Sequence, residues 1–167
     1  YKEGNNNKNK LRLWDKDDFT PLADDIFQER LYCVQWQKKV NGKIKTEIRT
    51  VTKEDEKREQ KVSDYIREHL NEWQENGYIP DMVIEKGYNT DQPIRERGWT
   101  HWNHLFNSRQ LLIISMFVRE SLLAETQLEK VSGILGINKF ADFGSNLCRW
   151  NPNCDKTEQT FYNQAFN

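Results

Sequence analysis

Leu31-Tyr32-Cys33-Val34-Gln35-Trp36-Gln37-Lys38-Lys39-Val40-Asn41-Gly42-Lys43-Ile44-Lys45-Thr46-Glu47-Ile48-Arg49-Thr50-Val51 divides into two strand-forming halves around Asn41-Gly42. Tyr32, Cys33, Val34 and Trp36 favour extended backbone, because branched and aromatic side chains pack well on a pleated surface. Asn-Gly is the strongest short hairpin signal. The tight turn that matches strand twist needs positive φ at both central residues, which Asn tolerates and Gly takes freely. Ile44, Ile48 and Val51 carry the return strand, so a β-hairpin is expected over about residues 31–51. Two isolated strands are marginal in water. This pair has to pack on a helix or join a larger sheet.

Downstream the chain reads as helix and loop. Thr52 with Asp55 three residues later has the form of a helix N-cap, and the helix runs to about Asn76, closed by Gly77. Lys53 to Lys61 is almost all charge, a solvated face with pairs such as Glu54 and Arg58. Val62, Tyr65, Ile66, Leu70 and Trp73 follow at helical spacing, so the second half is the packed one. Residues 78–107 are irregular, broken by Pro80, Gly87, Pro93 and Gly98, and loops of that length are often functional. Asn107 or Ser108 caps the next helix, over about 108–124. Its Leu111, Leu112, Ile114, Val118, Leu122 and Leu123 make it the expected centre of the core. A further helical segment over about 128–147 carries Val131, Leu135, Phe140 and Phe143, weakened or bent by Gly133, Gly136 and Gly144.

Upstream, residues 1–10 form a flexible lead-in rich in Asn, Lys and Gly. Pro21, Asp24 and Asp25 lead into a short helical turn around Ile26 to Arg30. The fold class that follows is α+β, mostly helical with one β-hairpin, in a single domain over residues 11–167. The chain opens on Tyr1, and Phe161, Tyr162, Ala165 and Phe166 leave an apolar face at its end. Both features lead to the expectation of a fragment of a larger protein.

A net charge of −1 excludes nucleic-acid binding over the whole surface, but 25 Lys and Arg leave room for a local basic face. Aromatics at 12%, with six Trp, argue against disorder. Cys33, Cys148 and Cys154 make no paired framework, which fits a reducing, cytoplasmic setting. No apolar run approaches the roughly 20 residues that span a bilayer, so no membrane partner is expected.

Between Asn89 and Gln110, Arg95, Arg97, His101, His104 and Arg109 interleave with Trp99, Trp102 and Phe106. Arginine grips phosphate with two parallel donors, and indole faces stack on exposed bases. A helix start near Ser108 adds backbone donors that favour an anion. The run therefore reads either as a nucleic-acid surface or as packed aromatics, with Arg95 and Arg97 paired to Glu96 or Asp91. Arg149 and Trp150 stand in the same position: phosphate and base contacts, or a cap and a packed ring. His101, His104, Cys148 and Cys154 lack the close cysteine spacing of structural zinc, so no metal site is expected. Neither a phosphate-cradling glycine loop nor a nucleophile elbow occurs, so no catalytic residue is assigned.

Three stretches together resemble one family. They are Asp24-Asp25-Ile26-Phe27-Gln28-Glu29-Arg30-Leu31-Tyr32; Gly98 to Leu112, with its Leu-Phe-x-x-Arg-Gln-Leu-Leu pattern; and Leu147-Cys148-Arg149-Trp150-Asn151 with Thr160 to Ala165. In this order they resemble the central part of the zinc-ribbon adenine-specific DNA methylases. The resemblance implies a parent enzyme that uses S-adenosylmethionine to methylate the adenine amino group. In that family the cofactor glycines and zinc ribbon precede such a segment, and a catalytic Asp-Pro-Pro-Tyr motif follows it. None of the three is in this chain. The resemblance thus implies an internal segment that is inactive alone and needs no cofactor of its own, with duplex DNA and the catalytic domain of its own polypeptide as partners. The expected DNA-contacting residues are Arg95, Arg97, Trp99, His101, Trp102, Arg109, Arg149 and Trp150, with the cations on one exposed face and Trp99 or Trp102 partly exposed. The alternative is a structural segment that docks on the catalytic domain without touching DNA.

Overall fold

A computed structural model describes residues 11–160 except Asn89 and Asp155. The lead-in over residues 1–10 and the apolar face from Phe161 to Phe166 lie outside the described residues. The architecture is α+β and mostly helical.

Strands β1 (Cys33–Val40) and β2 (Lys43–Thr50) pair antiparallel, with Val40 opposite Lys43 across a two-residue loop. Asn41 at φ 51° and Gly42 at φ 78° give the turn its double left-handed step, as Asn-Gly requires. The hairpin is therefore as expected, one or two residues shorter at its root. Neither face is covered: Trp36, Ile44 and Ile48 are 39%, 70% and 61% exposed.

Helix α1 (Lys53–Glu75) opens with a reciprocal box, in which the Thr52 hydroxyl accepts from the Asp55 amide and the Asp55 carboxylate accepts from the Thr52 amide. Its charged first half is solvated except at Asp55, which is buried. Arg49 of β2 donates to both Asp55 oxygens, at 2.7 and 3.0 Å. That fork, with the Thr52 hydroxyl and amide, holds the carboxyl well below the usual range. The same contact ties the hairpin root to the helix. Gly77 at φ 72° ends the helix region.

Residues 78–107 are more ordered than their punctuation suggests. They hold helix α2 (Asp91–Arg97) and a 3-10 turn over Trp102–Leu105. Ile84 donates its amide to Thr100 O at 2.8 Å, and Trp102 to Met82 O at 3.1 Å. With those backbone groups satisfied, the segment can be buried without regular structure. Ile79, Ile84, Ile94, Trp99, Leu105 and Phe106 join Trp14, Phe19, Ile66, Leu70 and Trp73 in the core.

Helix α3 (Ser108–Leu123), capped by Asn107, is thus one wall of the core rather than its centre. It fully buries only Leu111, Ile114 and two serines. Met116, Phe117, Leu122 and Leu123 are exposed. Helix α4 (Gln127–Phe143) packs on α3 and runs unbroken through Gly133. A Cβ there would lie 2.2 Å from Ser121 Oγ, so this glycine permits a close helix approach and does not bend the helix. A small second hairpin, β3 (Arg149–Asn151) with β4 (Lys156–Glu158), was not expected from the sequence. The helical turn expected at Ile26 to Arg30 is also absent. Those residues form bends and extended chain, and the Gln28 side-chain amide donates to Leu22 O and Asp25 O, both at 2.8 Å, in place of helical backbone donors.

Candidate nucleic-acid interface

The Gly98–His104 stretch works first as a bracket for the strap over residues 12–19. Trp14 donates its amide to Gly98 O at 2.8 Å, and Thr100 Oγ1 donates to Trp14 O at 2.5 Å. Asn103 Nδ2 donates to Lys16 O and Asp18 O. His104 Nδ1 accepts the amides of Thr100 and His101, which leaves Nε2 to donate to Asp15 O at 3.0 Å. Burial pushes the His104 pKa down to about 4, so the ring is neutral and locked in that tautomer. Gly98 has φ 78°, and a Cβ on it would meet Arg12 O at 2.0 Å, so only glycine lets the strap approach. The strap's own turn is held by Arg12, which donates Nε and Nη2 to Asp25 at 2.9 and 2.8 Å and also bonds Asp18. This fork lowers the Asp25 pKa and raises that of Arg12.

Beside the bracket lies an open groove of about 550 Å³. One wall is the loop from Asp25 to Leu31, and the other is Arg97, Trp99 and the start of α3 at Asn107, Ser108 and Arg109. Asn146 also lines the groove. Asn107 Nδ2 donates to Asn146 Oδ1, and Asn146 Nδ2 donates to Glu29 Oε1, both at 3.4 Å, which is long for a hydrogen bond. This chain links residues in or next to all three of the stretches that carry the family resemblance, although they are more than a hundred positions apart at the extremes. Arg97 stacks on Phe27 with its guanidinium 4.3 Å from the ring centre, which anchors the loop to the end of α2. Arg109 forks onto Glu59 of α1, with Nε at 2.9 Å. Arg30 and Arg97 have no carboxylate partner among the described residues. Glu29 is exposed as a residue but lies among the groove walls, and that desolvation raises its pKa.

Of the eight residues expected to touch DNA, the structure brings Arg97, Trp99 and Arg109 to this groove. The other five do not line it. Arg95 turns to Glu96 at 3.6 Å. His101 is partly buried beside the Lys16–Asp81 pair, and burial lowers its pKa. Trp102 is partly exposed, as expected of one of the two indoles, but it packs against the core. Arg149 pairs with Glu158 at 2.7 Å across the small hairpin, next to the exposed Trp150. The expectation that all the cations share one face therefore gives way to a smaller set. Trp99 also needs correcting as a stacking residue. It is 7% exposed and packs edge-on against Trp14, with ring centres 6.2 Å apart, so its faces are taken. The helix-start donors near Ser108 are partly used, since Asn107 and Gln110 cap each other reciprocally.

Arg30, Phe27, Glu29 and Asn146 were missed by chemical reading of the sequence. The available signal was that Phe27, Glu29 and Arg30 sit in the first resemblance stretch and that Asn146 adjoins the third. The groove holds arginines, amides and the carboxyls of Asp25, Glu29 and Glu59, two of which are paired with Arg12 and Arg109. Cys33, Cys148 and Cys154 are unpaired. Among the described residues, no group of three or more His, Cys, Asp or Glu is placed to hold a metal ion, and no helix is long and apolar enough to cross a membrane. No family model, no curated protein and no solved structure matches the chain.

Proposed function

We propose that this chain is an internal, DNA-contacting segment of an S-adenosylmethionine-dependent adenine-specific DNA methyltransferase. On this reading it has no catalytic or cofactor residues of its own and serves in the cytoplasm with its parent catalytic domain. The observation that carries the reading is the meeting of the first two family-like stretches and of Asn146, which adjoins the third, around one groove, where Arg30 and Arg97 stand without carboxylate partners among the described residues. A phosphate fits there because a guanidinium presents two parallel donors to its oxygens. Enzymes that modify a base must take it out of the stack, and a clamp on the flanking backbone supports the distorted strand.

The test is fluorescence anisotropy of a labelled DNA duplex titrated with the chain at two salt concentrations. Binding should weaken steeply with salt. Replacing Arg30→Gln and Arg97→Gln should each flatten the dependence of log affinity on log salt by about 1. Failure to bind duplex at low salt would end this reading.

One observation favours the docking alternative: α3 and α4 together expose Met116, Phe117, Leu122, Leu123, Leu128, Ile134 and Leu135. Exposed apolar side chains on two neighbouring helices favour a protein contact. Its test is co-purification with the parent catalytic domain, lost on Phe117→Asp together with Leu135→Asp.

A further inference from the structure

We infer that the β1–β2 hairpin is a phosphate-contacting arm whose partner is duplex DNA, engaged through Lys39, Lys43 and Lys45 near its tip. The inference rests on the DNA reading above but moves the contact to residues outside the groove. The two strands carry five basic residues, Lys38, Lys39, Lys43, Lys45 and Arg49, against one acid, Glu47. Two of the five are neutralised: Lys38 by Glu47 at 2.7 Å, and Arg49 by Asp55 at 2.7 Å. Lys39, Lys43 and Lys45 have no carboxylate partner among the described residues. A chain of net charge −1 thus concentrates three uncompensated cations on one projecting element.

The register sets how they are displayed. Trp36, Lys38, Val40, Lys43 and Lys45 share one face, and Lys39 and Ile44 share the other. Cations therefore stand on both sides of the ribbon, spaced along the end farthest from the body. Each strand of eight residues reaches about 26 Å. A two-stranded ribbon fits the major groove of B-form DNA, about 12 Å wide, where phosphates flank it on both sides. Trp36 keeps 39% of its surface open on the face of Lys43 and Lys45, with the Arg49 guanidinium 5.2 Å from its ring centre. A two-stranded hairpin with neither face covered is marginal in water, so a partner that covers it contributes directly to its order. The charge selects a polyanion for that partner. The tip itself, Asn41-Gly42, carries no apolar side chain to wedge into lipid, which disfavours a membrane surface.

The test uses the whole chain and a labelled DNA duplex over a fourfold rise in salt. Wild type should lose about 40-fold more affinity across that rise than the variant carrying Lys39→Gln, Lys43→Gln and Lys45→Gln, as expected for three released phosphate contacts. Replacing the same three lysines by arginine should keep wild-type binding, which separates charge from folding. An RNA duplex should bind more weakly, because its deep, narrow major groove excludes a ribbon.

If wild type binds no duplex, the DNA reading and the arm fall together. If wild type binds, the glutamine variant keeps the same salt dependence and only the Arg30 and Arg97 variants lose affinity, the arm is overturned and the groove reading stands. Binding to phosphatidylserine vesicles in place of duplex, or RNA binding as tight as DNA binding, would also overturn the arm.

Discussion

The bracket between residues 12–19 and 98–106 and the hairpin arm over residues 33–50 are built on opposite principles. In the bracket, two irregular segments hold each other through backbone amides, one threonine, one asparagine and one neutral histidine, around buried Trp14 and Trp99. In the arm, regular backbone satisfies itself and the side chains of both faces remain open. Irregular chain becomes rigid where its polar groups find distant partners. Regular chain stays soft where its side chains find none.

The largest effect is expected at Trp99. Trp99→Ala should cost about 4 kcal/mol in urea denaturation, because it leaves a cavity beneath the strap. An unchanged stability combined with lost DNA binding would return Trp99 to the role of a base-stacking residue. Next comes pH. The folded His104 pKa of about 4 lies below its unfolded value of 6.5. Between these limits the unfolded chain binds the extra proton, so stability falls as pH drops from about 6.5 toward 4, by about 3 kcal/mol in all. Glu29, with its raised pKa, acts in the opposite sense, so the measurement belongs in Glu29→Gln. There His104→Gln should reduce the slope whatever it does to absolute stability, leaving the part that His101, whose pKa is also lowered, contributes. A slope unchanged by His104→Gln would place the proton elsewhere. The smallest effect is expected on the arm, where Ile48→Thr should change stability by less than about 0.5 kcal/mol. A larger loss would mean that the arm is packed in solution and the contrast with the bracket is wrong.

What the sequence revealed follows the same division. The arm was legible because a turn and its strands are local: Asn41-Gly42 determines the pairing of residues that are neighbours in the chain. Thr52 with Asp55 was legible for the same reason, as was Asn107 as one of two candidate caps. The bracket was not, since Thr100 and His104 find their partners 86 and 89 residues away. The run of Arg, His and Trp from 95 to 109 could be read either way, because the residues that grip nucleic acid also satisfy a polar core. Only the placement of Asp15, Trp14 and Asp18 separates the two uses. The groove joins residues from three remote stretches, and chemical type alone did not single out Arg30 or Glu29. Glycine misled in one place: Gly133 reads as a weak point along a helix, yet its meaning lies in the neighbouring Ser121.

The fork from Arg49 onto Asp55 sits at the root of the arm, where β2 passes into α1 within a few residues. Mechanically the arm is a lever with its fulcrum there. With a reach of about 26 Å, a tilt of about 10° at the root sweeps the tip through about 4 to 5 Å, close to one strand spacing. The aim of the tip lysines is therefore governed by one ion pair that never approaches them.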